Sequence, residues 1–209
     1  VQLNYDSQTT TAIARELAGI ITSGVQAGSI IAASDKTGAP PPVPPGKTGE
    51  FVQTKSGTLS LPPGYTALVE TASNALVFGN AAQGQKILAG TGTNLTFMAG
   101  GGSGTVVAGG DTNRISVPGS TNGDWLIATG KGNDIINAMS GGMTTVDAGA
   151  GHNAIQLGKG DALVNGSGDD TVRAGSGNVT INASEATSSL VYGGAGDLFF
   201  LGGGGGATI

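Results

Sequence analysis

Cysteine is absent from the 209 residues, so neither a disulfide framework nor thiol chemistry is available. Histidine occurs once, as His152 at a turn position, and no Ser/His/Asp set or histidine-rich metal motif accompanies it. Asp169 and Asp170 are adjacent, but neighbours on a strand point to opposite faces, so they are not a pair of catalytic acids. These gaps argue against an enzyme. Aromatics make up only 4% and charged residues 11%, which is thin for a compact enzyme core. The chain is nonetheless too aliphatic and too weakly charged for disorder. Its nine Lys and Arg stand singly against a net charge of −5, which speaks against nucleic-acid binding. No apolar run approaches the ~20 residues that span a bilayer. The sequence opens on Val1 rather than Met and shows no signal peptide, as expected of a processed product or an excised fragment.

Glycine, by contrast, fills 40 positions, a large entropic cost for any ordered chain. It follows no Gly-X-Y period, which excludes collagen and leaves repetitive β-structure with glycine at the corners. Four regions are expected. Residues 1–37 hold an extended "VQLNY" and a helix whose Ile13, Leu17, Ile20, Ile21 and Val25 share a face, with Asp6, Ser7 or Thr9 as N-cap. That helix reads as a cap over an open end of the following domain, or as an oligomerisation element. Residues 38–48 ("GAPPPVPPGK") form a stiff proline linker. Residues 49–73 read as a hairpin around Ser56-Gly57 and further entry strands.

From 74 to 209 short aliphatic strands recur roughly every nine residues, the mark of a solenoid. Two kinds of corner alternate. One series carries Asn94, Asn113, Asp134, Asn153, Asp170 and Ser189, at spacings of 19, 21, 19, 17 and 19. The other carries Lys86, Val106, Trp125, Thr145, Ala162, Val179 and Leu198. The repeat is therefore two strands long, with a polar edge and a mostly apolar edge. The expected fold is all-β: a right-handed parallel β-roll of about seven rungs stacked ~4.8 Å apart. Trp125, alone in the middle of the apolar series, is a possible ligand contact, for instance with polysaccharide.

"TGKGNDIIN" (129–137) and "NGSGDDTVR" (165–173) match a G-G-x-G-x-D-x-U-x pattern everywhere but the first position. On these motifs the periodic part resembles the hemolysin-type (RTX) nonapeptide-repeat family, which implies a calcium-binding β-roll. Carried over position by position, the implied ligands are Asp134 and Asp170, with Asn153 between them and Asp169 beside. The implied carbonyl donors belong to Gly130, Lys131, Gly132, Gly149, Gly151, Gly166 and Gly168. The departure from the family is that asparagine takes the aspartate slot at Asn94, Asn113 and Asn153. An asparagine ladder can satisfy itself by side-chain hydrogen bonds without a metal. The residues leave both readings open.

The resemblance also implies export, and with it a structural or adhesive module of a secreted bacterial protein: adhesin, biofilm matrix, surface layer or filament. Expected partners are further copies of the chain or another extracellular protein. The alternatives are a carbohydrate-binding or enzyme-associated module of the same kind, and an ice-binding solenoid. The last would need a rank of threonines, and the apolar series supplies only Thr145.

Overall fold

The computed structural model describes residues 2–209. Helix α1 (Gln8–Gln26) comes first, followed by β1 (Ile30–Ser34), β2 (Thr48–Gln53), β3 (Gly57–Ser60), β4 (Tyr65–Glu70), β5 (Asn74–Phe78) and β6 (Gln85–Ala89). The middle of the chain gives β7 (Asn94–Met98), β8 (Gly104–Ala108), β9 (Arg114–Val117), β10 (Trp125–Thr129), β11 (Ile135–Ala138) and β12 (Thr144–Gly149). The rest forms β13 (His152–Leu157), β14 (Ala162–Gly166), β15 (Asp169–Arg173), β16 (Val179–Ala183), β17 (Ser188–Tyr192), β18 (Leu198–Gly202) and β19 (Gly206–Thr208).

From β2 onward successive strands alternate between two sheets. Ten strands pair in the order β1-β2-β4-β6-β8-β10-β12-β14-β16-β18, and nine pair from β3 through the odd-numbered strands to β19. The pairings are parallel, each strand meeting its equivalent one turn later. The chain is thus a parallel β-solenoid of about nine turns, as the repeat predicts in kind. Its core is narrow. Ile87, Val106, Ile127, Val146, Val164 and Ile181 from one sheet face Val77, Phe97, Ile115, Ile136, Ile155, Val172 and Val191 from the other, all in one buried cluster.

The extra turns come from the region before residue 74. The expected hairpin does not form: β2 and β3 lie in opposite sheets, and each pairs in parallel with a strand one turn on. Pairing in parallel lets Phe51, Leu61 and Tyr65 join the common core, which an isolated hairpin could not offer. The proline segment folds back onto the first turn as well. Val43 packs against the core and the Tyr65 hydroxyl donates to the Pro41 carbonyl at 2.8 Å.

The helix is where expected, with Ser7 accepting from the Thr10 N–H as N-cap. It does not cover an end. It lies along the outer face of the ten-stranded sheet, touching β1, β6, β8, β10 and β12. A parallel sheet is normally buried on both faces. Here the outer face supplies Ala67, Leu88, Val107 and Ala128, and α1 covers them with Ala14, Leu17 and Ile21. Ile20, expected on that face, is 47% exposed, and Ala14 takes the inner position. Lengths agree: 19 residues at ~1.5 Å give ~28 Å, about six strand spacings of ~4.8 Å. The N-terminal end is pinned by Thr10 Oγ1 donating to the Thr129 carbonyl (2.9 Å) and, just before the helix, by the Tyr5 hydroxyl donating to the Ala89 carbonyl.

Candidate functional site

The polar series does not sit on an exposed edge. Asn113, Asp134, Asn153, Asp170 and Ser189 are all buried: the first two immediately precede β9 and β11, and the others are the second residues of β13, β15 and β17. Each stands two residues before an inward aliphatic (Ile115, Ile136, Ile155, Val172, Val191), so the two-residue period of a strand turns it inward too. Asn94 is the exception. Leu95, not Asn94, meets Asn113, and a one-residue slip sends Asn94 to the outer face. There it donates to Asn74 Oδ1 (3.4 Å) and accepts from the Thr112 N–H (3.1 Å).

Within the column, the backbone N–H of one turn donates to the side-chain oxygen of the next. Leu95 N–H donates to Asn113 Oδ1 (3.0 Å), Asn113 N–H to Asp134 Oδ1 (2.7 Å) and Asp134 N–H to Asn153 Oδ1 (3.1 Å). Amides and carboxylates alternate, which supplies donors in the same direction: Asn113 Nδ2 to Asp134 Oδ1 (2.9 Å) and Asn153 Nδ2 to Asp170 Oδ1 (2.8 Å). Burial holds the Asp134 carboxyl above the usual range and pushes Asp170 up to about 6, against the pull of the Asn113 and Asn153 donors. One oxygen of each, Oδ2, has no partner.

Asp169 points the other way, out of the sheet. It accepts from Thr187 Oγ1 and from Ser188 Oγ (3.0 Å), and pairs with His152 across neighbouring turns (3.3 Å). Those hydroxyls, and then the imidazole, hold its carboxyl below the usual range. Lys131 reaches Asp6 at 3.5 Å, tying the roll to the segment before α1.

Three of the six loop glycines have their carbonyls engaged in stacking. The Gly149, Gly151 and Gly168 carbonyls accept from Ser167, Asp169 and Thr187 N–H groups at 3.3, 2.7 and 3.1 Å. Gly149 and Gly151 adopt positive φ (65° and 107°), and a methyl group on either would overlap the carbonyl oxygen of Gly130 or Gly132 one turn below. A methyl on Gly166 would overlap the free oxygen of Asp170.

Calcium requires six to eight oxygens around one point. Asp134 and Asp170 stand two turns apart, ~9.6 Å, and each has one oxygen engaged by asparagine. The Gly149, Gly151 and Gly168 carbonyls bond the next turn. This donor set does not fit a calcium cage. What it builds is a hydrogen-bonded spine along one side of the core.

Trp125 is 2% exposed, packs on Phe97 at 6.1 Å between ring centroids and donates its indole N–H to the Gly102 carbonyl (3.2 Å), so little of its ring faces solvent. Of the apolar series, Val106, Ala162 and Val179 also point into the core, whereas Lys86 and Thr145 fall one residue off that parity and face outward. Three buried acids, Glu50, Glu70 and Asp147, escape a reading by repeats, and burial raises the pKa of each. Glu70 is fully buried and its pKa is pushed up to about 7 by burial; Asp147, on the outer face of β12, is raised in the same direction. A lone acid ending the strand "YTALVE" is the one sequence signal that Glu70 offers.

No family model matches this chain, nor does any curated protein or solved structure. The likeness to hemolysin-type repeats therefore stands on the two motifs and on the parallel two-sheet solenoid alone.

Proposed function

We propose that the chain is a non-enzymatic structural or adhesive module of a secreted bacterial protein, a stiff rod that assembles with copies of itself in an adhesin, matrix, surface layer or filament. The observation that carries this reading is the pair of sheets running unbroken to β18 and β19. On the outer face of that stack Phe199 and Leu201 of β18 are 63% and 50% exposed. Large apolar side chains held out on a sheet face offer a surface for another chain to cover. Export follows from the hemolysin-type motifs. In this reading the polar spine holds the rod together without a metal. Calcium dependence of the hemolysin kind would instead appear as a calcium-induced rise in melting temperature that Asp134→Asn and Asp170→Asn abolish.

The assembly test is sedimentation velocity over a hundredfold range of concentration, with Phe199→Lys/Leu201→Lys as the comparison. Concentration-dependent oligomers that disappear in the double variant support the proposal. A monomer at every concentration removes self-assembly from it.

A further inference from the structure

A second polar column lies on the opposite side of the ten-stranded sheet from the core. Asp147, Asn165 and Asn182 are register partners on β12, β14 and β16, each one residue past an inward aliphatic (Val146, Val164, Ile181) and so facing out. The start of α1 comes down beside this column. Ser7 and Thr9 from the helix side, Ser167 from the loop after β14, and Ser184 and Glu185 from the turn after β16 complete a pocket of about 270 Å³.

Asp147 is the unusual member. It is only 8% exposed, yet its Oδ2 has no hydrogen-bond partner. The Gly149 N–H donates to its carboxylate, and Glu185 of the same pocket, carrying the same sign of charge, acts against it. No Lys, Arg or His lines the pocket. The ion pairs of the described residues, Lys131–Asp6 and His152–Asp169, do not involve it. A buried carboxylate facing a second carboxylate, without a cation, is costly. Asn165 adds an amide oxygen, and Asn182 another that already accepts from Ser184 N–H and Oγ (3.2 and 2.8 Å). Every donor here is a hard oxygen, the set that suits calcium or magnesium rather than a transition metal.

We propose that this pocket binds one hard divalent cation of calcium size. Asp147 and Glu185 supply the charge, Asn165 and Asn182 supply neutral oxygens, and water fills the remaining positions. The ion clamps the first turn of α1 onto the sheet, because Ser7 and Thr9 form one wall of its site. The site is separate from the Asp134–Asp170 spine, which lies inside the roll, and the inference does not depend on the proposed function. Calcium is favoured over magnesium because the irregular donors suit its flexible shell, whereas magnesium demands a near-ideal octahedron.

Titration calorimetry on the chelator-stripped full chain with calcium chloride, and separately with magnesium chloride, tests the proposal. One calcium per chain is expected, with Kd on the order of 10⁻⁴–10⁻³ M and weaker magnesium uptake. Asp147→Asn and Glu185→Gln should each weaken it about tenfold or more, and Asp134→Asn/Asp170→Asn should leave it unchanged. Glu185 is exposed, so its variant answers the question even if Asp147→Asn fails to fold. Hydrogen exchange supplies a second readout: amides in the first turn of α1 should gain protection with calcium in the parent chain and not in Glu185→Gln. Absence of binding at about 10 mM calcium overturns the proposal and means that protonation of Asp147, or the positive end of α1, removes the need for a cation. Binding that survives both variants, or is lost only in the spine variants, overturns it as well.

Discussion

At the scale of single residues, the spine depends on alternation. Asn153 accepts from the Asp134 N–H and donates to Asp170, so it joins three turns through one side chain. Asn153→Ala would leave a buried N–H and a buried carboxylate without those partners, at a cost of about 2–4 kcal/mol. Urea unfolding followed by circular dichroism should show the loss; a change below about 0.5 kcal/mol would mean the spine is not a load shared between turns. Gly151→Ala combines a positive φ with overlap on the Gly132 carbonyl. We expect it to cost about 1–3 kcal/mol or more in the same assay. Gly19, on the helix with nothing within reach of an added methyl, is the control, and Gly19→Ala should be neutral or stabilising by up to ~1 kcal/mol.

At the scale of elements, α1 is the piece that makes an ordinary parallel sheet viable in water. Without it Leu88, Val107 and Ala128 would form an apolar stripe on the outer face. Leu17 sits at 5% exposure in that contact, and Leu17→Asp would place a carboxylate against it. The expected outcome is a helix that detaches while the roll persists: limited proteolysis should cleave within residues 8–26 first and leave a resistant fragment of the remainder. If the whole chain is instead digested at once, helix and roll form one cooperative unit.

The whole molecule should respond to pH in an unusual direction. Folded-state pKa values are about 6 for Asp170 and about 7 for Glu70, raised first by burial, and Asp134 is raised in the same sense. In the unfolded chain such groups lose their protons near pH 4. Between pH 4 and 7 the folded state therefore binds more protons, and its stability falls as pH rises, levelling off above about 7. Asp169 acts in the opposite sense but is solvent-facing and contributes little. Glu70 and Gln53 are register partners, and Glu70 Oε2 and Gln53 Oε1 both lack a partner, so a protonated Glu70 supplies the donor that this pair needs. Unfolding free energy should be higher at pH 5 than at pH 8 by on the order of 4 kcal/mol, about one pH unit from Asp170 and about two from Glu70. Glu70→Gln should flatten the upper half of that slope and stabilise the chain at pH 8. A stability that climbs steadily from pH 5 to 8 would contradict this account.

The two-strand repeat, the aliphatic core and the helix were all legible in the sequence, because strand period, helix period and glycine corners are local properties that recur every few residues. Ile136, Ile155, Val172 and Val191 sit inside, as their alternation requires. The tertiary structure alone decided which way a corner residue faces. Asn94 and Asn113 look equivalent in the repeat, yet a one-residue slip between turns puts one outside and the other inside. It also decided that Phe51–Leu61 joins two sheets rather than one hairpin, since a strand's partner is fixed by the turn stacked next to it and not by its nearest neighbour in the chain. The seat of α1 belongs to the same class. Amphipathicity specifies that a helix must bury one face, but only the assembled sheet, with its small and apolar outer column, specifies against what.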